Sequence, residues 1–229
     1  MENVFVTGID TDIGKTFVSI GICLKKENEN VKTGYFKPLQ SGAYKKDNML
    51  IAPDLYELKK YSNIPSLYSY LFKGEVSPYL ASTIENTKVE LSKIKKDYNN
   101  FSKNLEYIVT EGAGGLYCPA GDNLLFSDII KELNQEIVIV TTPHLGKLNH
   151  TLMTIECAKL NNIKIKGIII NKIPKNPTLS EKNFIKELST FSDIEILGKI
   201  PQVNNPDKNE IINIFKDVDF CAFEWRELV

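Results

Sequence analysis

Chemically distinctive residues are scarce in this 229-residue chain, which has only four cysteines and two histidines. Cys23, Cys118, Cys157 and Cys221 are scattered and form no C-x-x-C pair. With only His144 and His150 beside them, neither a disulfide framework nor a zinc site is expected. Thiols left reduced point to the cytoplasm. No charge sign dominates either: 28 Lys and Arg stand against 29 Asp and Glu, a net −1. That balance gives no global field to attract nucleic acid or a membrane surface. No apolar run approaches the ~18–20 residues that cross a bilayer, and the chain enters a strand pattern almost at once, so no secretory leader is expected. Internal repeats, low-complexity tracts and Pro/Gly linkers are missing, so one domain over residues 1–229 is expected. A hydrophobic fraction of 42% is enough for a sizeable core.

What is present is an alternation of short β-branched runs with helical patterns. The runs Val4–Thr7, Val31–Phe36, Tyr107–Thr110, Ile137–Thr141, Lys166–Asn171 and Ile194–Leu197 read as strands. Lys15–Lys26, Asp54–Tyr61, Phe126–Leu133, Leu148–Leu160 and Leu179–Leu188 read as helices, the second opened by Pro53. The Lys-rich stretch Lys88 to Lys103, interleaved with Glu90 and Asp97, reads as a solvated helix face. The strands are continuously apolar rather than alternating, which implies burial on both faces. The expected fold is therefore α/β, a mainly parallel β-sheet with helices on both faces.

One segment stands out: Gly8-Ile9-Asp10-Thr11-Asp12-Ile13-Gly14-Lys15-Thr16, between the first strand and the first helix. This is the context of a phosphate-binding loop, where the unpaired N–H groups and positive end of a helix receive a polyphosphate. Lys15 is placed to reach the β- and γ-phosphates and Thr16 to ligate Mg²⁺. The loop departs from the common pattern, because five residues rather than four separate Gly8 from Gly14. It also carries two carboxylates, Asp10 and Asp12, beside a site meant for anions. Those charges are unfavourable unless they meet a cation or a substrate amine.

Other polar residues fall at strand ends, where open α/β sheets bind ligands. Lys37-Pro38-Leu39-Gln40-Ser41-Gly42 follows the second strand and Glu111-Gly112-Ala113-Gly114-Gly115 the third. Thr142-Pro143-His144-Leu145-Gly146 and Asn171-Lys172-Ile173-Pro174 follow the fourth and fifth. Glu111 is positioned like the second acidic element of a phosphate-loop ATPase, or as a strand-end acid paired with a lysine. On spacing alone, Asp54 is a first-turn acid favoured by the helix dipole. His150, at a helix start, reads as structural.

These motifs, in this order, resemble the dethiobiotin synthetase family. The loop is similar to that family's Gly-Thr-Asp-Thr-x-x-Gly-Lys-Thr, including the five-residue spacing. Lys37-Pro38 with Ser41-Gly42, Ser77-Pro78 with Ala81, Glu111–Gly115, Leu145-Gly146 with Asn149-His150, Asn171 and Ile200-Pro201 match its further motifs up to about residue 207. The resemblance implies a fold of the phosphate-loop NTPase type. It also implies ATP- and Mg²⁺-dependent closure of a ureido ring from 7,8-diaminononanoate and CO₂. Lys15, Lys37 and Thr11 would be catalytic, and Thr16, Asp54 and Glu111 would hold the metal. The nucleotide would meet Asp12, Ile13, Gly14, Lys15, Thr16, Phe17, Glu111, Asn171, Pro201, Val203 and Asp207. Substrate would meet Thr11, Asp12, Lys37, Ser41, Gly114 and Gly115, with Leu145, Gly146 and Asn149 reaching the partner's site across a homodimer interface.

The chain departs from the family at Tyr79, where His is common, and at His144, where another member has Lys. Asp207 stands where Glu contacts the ribose. Phe220–Trp225 reads only as core or interface packing. A partitioning-type ATPase switch is the competing class. Its signature lysine would fall at position 9, which is Ile9. An amide-forming synthetase would need an ammonia source, and no glutaminase-like region is visible.

Overall fold

The computed structural model describes residues 3–218. Cys221 and the aromatic segment Phe220–Trp225 lie outside the described residues. In chain order, β1 (Val4–Gly8) leads into α1 (Lys15–Asn28) and β2 (Thr33–Gln40). A hairpin of β3 (Tyr44–Lys46) and β4 (Met49–Ile51) precedes α2 (Pro53–Lys59) and β5 (Ser66–Leu71). Then come α3 (Pro78–Ile84), α4 (Leu91–Ser102) and β6 (Tyr107–Gly115). A second hairpin, β7 (Pro119–Gly121) and β8 (Leu124–Leu125), runs into α5 (Phe126–Leu133) and β9 (Glu136–Thr141). The remainder is α6 (Lys147–Leu160), β10 (Ile165–Ile173), α7 (Leu179–Phe191), β11 (Ile196–Pro201) and α8 (Lys208–Phe215).

Seven strands form one sheet in the order β11-β10-β9-β1-β6-β2-β5, and every pairing in it is parallel. The period of two along each strand feeds two cores. Val4 and Val6 of β1 join Val109, Val138 and Val140 on one face, under Val18 and Ile22 of α1, Leu58 of α2 and Phe215 of α8. Phe5, with Phe36, Ile108 and Ile139, faces the other side, under Ile94 of α4, Ile130 of α5, Ile155 of α6 and Leu188 of α7. Helices on both faces explain why the strands read as unbroken apolar runs. The winding reverses at β1. The chain passes to β2 and β5 on one side, returns through β6, and then builds β9, β10 and β11 on the other. The carboxyl ends of β1, β2 and β6 therefore converge at one switch point.

Several strands run further than their apolar signal. β2 continues through Lys37–Gln40, β6 through Glu111–Gly115 and β10 through Lys172 and Ile173, so residues expected in loops lie within the sheet. Lys37 and Glu111 satisfy each other inside the protein, which lets charged residues extend a buried strand. β5 escapes the pattern because its Ser66-Leu67-Tyr68-Ser69-Tyr70-Leu71 mixes hydroxyls with apolar residues on an edge strand. The β3–β4 hairpin turns on Asp47 and Asn48, both left-handed at φ 49° and 62°. α4 confirms a helix in the Lys-rich stretch, with Ile94 and Tyr98 as its buried stripe.

Candidate active site

The phosphate loop leaves β1 and delivers Lys15 as the first residue of α1. The turn uses two left-handed residues, Asp12 at φ 55° and Gly14 at φ 88°. A Cβ on Gly14 would lie 2.1 Å from Asn171 Nδ2, so both the conformation and the space require glycine. No side chain among the described residues caps α1 here, which leaves its first N–H groups to an anion. The loop is braced from β10: Asn171 Nδ2 donates to the Ile13 carbonyl at 2.9 Å, and Lys172 Nζ donates to the Asp12 carbonyl. Lys15 Nζ folds back onto the Asp10 carbonyl at 2.7 Å. Burial pushes the Lys15 ammonium down to about 8, against the opposing pull of Glu111.

Beside the loop lies a charge cluster. Lys37, 4% exposed, reaches from β2 to Glu111 of β6, 1% exposed, at 2.7 Å and to Asp54 of α2 at 2.6 Å. Its third donor direction meets the Gly112 carbonyl at 3.1 Å. Burial alone would lower the Lys37 pKa, but Glu111 and Asp54 together leave it raised. Burial likewise opposes the Asp54 carboxylate, and Lys37 together with hydrogen bonds to Thr16 and Gln40 outweighs it, so Asp54 titrates below its usual range. The Thr16 hydroxyl lies 2.9 Å from Glu111 Oε1 and 3.2 Å from Asp54 Oδ1. Tyr35, two residues before Lys37 on β2, donates its hydroxyl to Glu111 Oε2 at 2.6 Å. Burial and the Glu111 charge raise the Tyr35 pKa well above the usual tyrosine value, so it stays a donor.

Thr11, Asp12, Gly14, Lys15, Thr16, Lys37, Ser41, Asp54, Glu111 and Gly114 line one cavity of about 550 Å³. The Ser41 hydroxyl is buried there with no hydrogen-bond partner among the described residues. A second, more apolar groove of about 490 Å³ shares Thr11 and Gly114 and adds Gly115, Leu116, Tyr117, His150 and Met153. Other expected residues stand apart. Phe17 packs its ring on Phe215 at 5.9 Å, and Asp207 caps α8 through the Glu210 N–H. Pro201 ends β11 and Val203 follows it in the loop before α8. Leu145, 86% exposed, with Gly146 and Asn149 at the start of α6, lines neither cavity.

Sequence reading did not single out Tyr35, Gln40 or Lys147. Tyr35 shares the Lys37 face by the strand period, a signal that was available. Gln40 Oε1 accepts the Asp54 N–H at 3.3 Å. Lys147 pairs with Asp10 at 2.9 Å across 137 residues, which no local pattern reveals.

The donors fit Mg²⁺ chemically. Thr16, Asp54 and Glu111 offer hard oxygens, and no group of three or more His, Cys, Asp or Glu able to hold a metal occurs among the described residues. Two carboxylates and a hydroxyl, completed by substrate phosphates, suit Mg²⁺ rather than a protein-only metal cage.

A glycine-turned helix start, an inward lysine and a threonine beside strand-end carboxylates define a phosphate-loop nucleotide-binding protein. The fold agrees with solved structures of that class. A chain of the MinC:MinD cell division protein complex of Aquifex aeolicus matches with a TM-score of 0.61 at 14% identity, covering 94% of each chain. MinD with Mg-ADP from Pyrococcus horikoshii matches at 0.60 and 16%, covering 95% of this chain and 96% of that one. A family described as an AAA domain matches residues 2–209. Sequence similarity is higher to the ATP-dependent dethiobiotin synthetase BioD of Clostridium perfringens, 38% identical over 220 residues, 92% of this chain and 96% of the relative. The enzyme of the same name from Caldicellulosiruptor saccharolyticus is 34% identical over 228 residues, 94% of this chain and 93% of the relative. The chain belongs to the dethiobiotin synthetase family.

Proposed function

We infer that this chain is a ligase of biotin biosynthesis, closing the ureido ring of dethiobiotin from 7,8-diaminononanoate and CO₂ with ATP and Mg²⁺. The observation that carries this reading is the meeting of two cavities at Thr11 and Gly114, one lined by Lys15, Lys37 and Lys172 beside Asp12, Asp54 and Glu111 for phosphate and its metal, and one largely apolar for a carbon chain. One amine adds to CO₂ and loses a proton, giving a carbamate. A carbamate oxygen then attacks the γ-phosphorus of ATP, ADP departs, and a carbamic–phosphoric anhydride results. The second amine attacks the carbonyl carbon. The C–O bond to phosphate breaks, inorganic phosphate and a proton leave, and the ring is closed.

No covalent protein nucleophile is needed; the protein's part is positioning and charge stabilisation. Lys15 and Lys37 draw the carbamate and γ-phosphate anions together. Thr11 and Ser41 supply hydroxyls to the carbamate, the latter with a buried oxygen that has no partner among the described residues. Backbone around Gly114 and Gly115 approaches the substrate closely. Asp12, exposed at the rim, attracts the cationic diamine. Thr16, Asp54 and Glu111 would hold Mg²⁺, which neutralises polyphosphate charge when bound. Asp12, Ile13, Gly14 and Phe17 border the nucleotide, and Asn171, Pro201, Val203 and Asp207 surround its base and ribose. Leu145, Gly146 and Asn149 act on the partner's site in a homodimer, which suits the outward Leu145. The whole chain serves as one ATP-binding domain. Free thiols at Cys23, Cys118 and Cys157 suit the cytoplasm, and no described helix is long and apolar enough to cross a membrane.

Phosphate release with ATP, Mg²⁺, bicarbonate and 7,8-diaminononanoate tests the reading. Release should depend on the diamine and accompany a ureido product. Diamine-independent release without that product would overturn it and favour an ATPase switch.

A further inference from the structure

The two carboxylates of the phosphate loop are held in contrasting ways. The Asp12 side chain is exposed and makes no hydrogen bond or ion pair among the described residues. Asp10 is engaged three times. Its Oδ1 accepts the Thr11 N–H at 2.8 Å, its Oδ2 accepts Lys147 Nζ at 2.9 Å, and its carbonyl accepts Lys15 Nζ at 2.7 Å. Lys147 opens α6, and that end of the helix is anchored. The Lys147 N–H donates to the His144 carbonyl at 3.0 Å. Thr151 Oγ1 donates to the Lys147 carbonyl at 2.7 Å and meets Thr141 Oγ1 at 2.8 Å. The ammonium thus reaches Asp10 from a fixed element. Lys147 first, then the Thr11 N–H, holds the Asp10 carboxyl below its usual range, with a smaller contribution from His150.

A half-buried ion pair still open to solvent adds little to stability, so its location matters more. Asp10, Thr11 and His150 line the apolar groove, and Thr11 also lines the adjoining cavity, so Asp10 stands beside the place where the substrate amines would react. Each amine must be neutral when it attacks, because an ammonium has no lone pair. A bare carboxylate beside it would favour the ammonium. The charged and titratable groups around Asp10 among the described residues are Lys147 and His150 of α6, Lys15 of α1, Tyr117, Cys118 and Cys157 lining the same groove, and Asp12 in its own loop. Lys147 is the one that hydrogen-bonds the carboxylate.

We propose that Lys147 occupies Asp10 so that the groove receives the reacting amine in its neutral, nucleophilic form, which makes Lys147 a positioning residue for ring closure. This rests on the dethiobiotin-forming reading above. Asp12 draws the cationic diamine to the rim, and a neutralised Asp10 lets its proton go.

The test is the pH dependence of kcat at saturating ATP and 7,8-diaminononanoate, which reports groups titrating in the bound complex. In Lys147→Met, and in Lys147→Gln should Met impair folding, the acidic limb should move up by about one pH unit. The KM for ATP should stay unchanged. Lys147→Arg should keep the wild-type limb, and adding Asp10→Asn to Lys147→Met should return the limb to its wild-type place. A limb unmoved by loss of the charge, moved equally by Arg, or still displaced in the double variant overturns the proposal while ureido product still forms. No ureido product from the wild-type chain overturns the functional reading and this inference together.

Discussion

Replacing Lys37 by Met removes the cation that the structure places between Asp54 and Glu111, at 2.6 and 2.7 Å, and keeps most of the side-chain volume. Glu111 would remain buried, its Oε2 still bonded to Tyr35 but its charge uncompensated. Breaking a buried pair in this way costs about 3–5 kcal/mol. For a chain of this size that is roughly 10 °C in melting temperature, at about 2–4 °C per kcal/mol. The pH dependence follows from the directions of the shifts. Asp54 is held below its unfolded value of 3.8, so its contribution is present above that value and lost as pH falls through the folded pKa. Lys37 is held above 10.5, so its contribution is present below that value and lost as pH rises through the folded pKa. The deficit of the variant should therefore be full near neutral pH and shrink towards pH 4, where a carboxylate without its cation takes up a proton. Mg²⁺ without nucleotide should raise the melting temperature of the variant more than that of the wild type, because the ammonium no longer competes for the same oxygens. Differential scanning fluorimetry at pH 7.5 and 4.5, with and without Mg²⁺, reads all three effects. A variant that melts within a degree or two of wild type at pH 7.5 would refute the reasoning.

Other outcomes follow from the same geometry. Glu111→Gln should raise the Mg²⁺ concentration needed for half-maximal turnover, and an unaltered metal titration would take Glu111 out of the metal shell. Tyr35→Phe removes a bond to a buried carboxylate and should lower stability by about 1.5–3 kcal/mol by urea denaturation, with no change expected if Glu111 were solvated. Lys15 titrates near 8 in the free protein, so ATP binding at pH 8.5 should take up protons as the phosphates restore its charge. Calorimetry in buffers of different ionisation enthalpy measures that uptake, and Lys15→Met should abolish it. Lys37→Ala should lower turnover far more than ATP affinity, read by comparing kcat with nucleotide binding.

Much of this arrangement was legible in the chain, for physical reasons that differ by element. The glycines, Lys15 and Thr16 announce themselves because a phosphate loop is continuous in sequence and its strand and helix flank it directly. Lys37 and Glu111 were readable as strand-end polar residues, yet they lie within β2 and β6. Apolar periodicity ends at a charge, whereas the backbone ladder continues when that charge finds a buried partner. Asn171 was expected to read the base, and the structure gives its amide a bond to the Ile13 carbonyl. Asp207, expected at the ribose, caps a helix. Asp10 needed a cation, and sequence alone did not identify it. Lys147 comes from the far side of the switch point, through the parallel neighbours β1 and β9, and only sheet order brings the two together.

The central claim is that a carbamate oxygen becomes an oxygen of the released phosphate. Turnover with ¹⁸O-labelled CO₂, 7,8-diaminononanoate, ATP and Mg²⁺, followed by mass analysis of the inorganic phosphate, tests it most directly. Ring closure through the carbamic–phosphoric anhydride transfers one labelled oxygen to each phosphate formed with dethiobiotin. Phosphate that carries only oxygen from ATP and water, alongside ureido product, would contradict it.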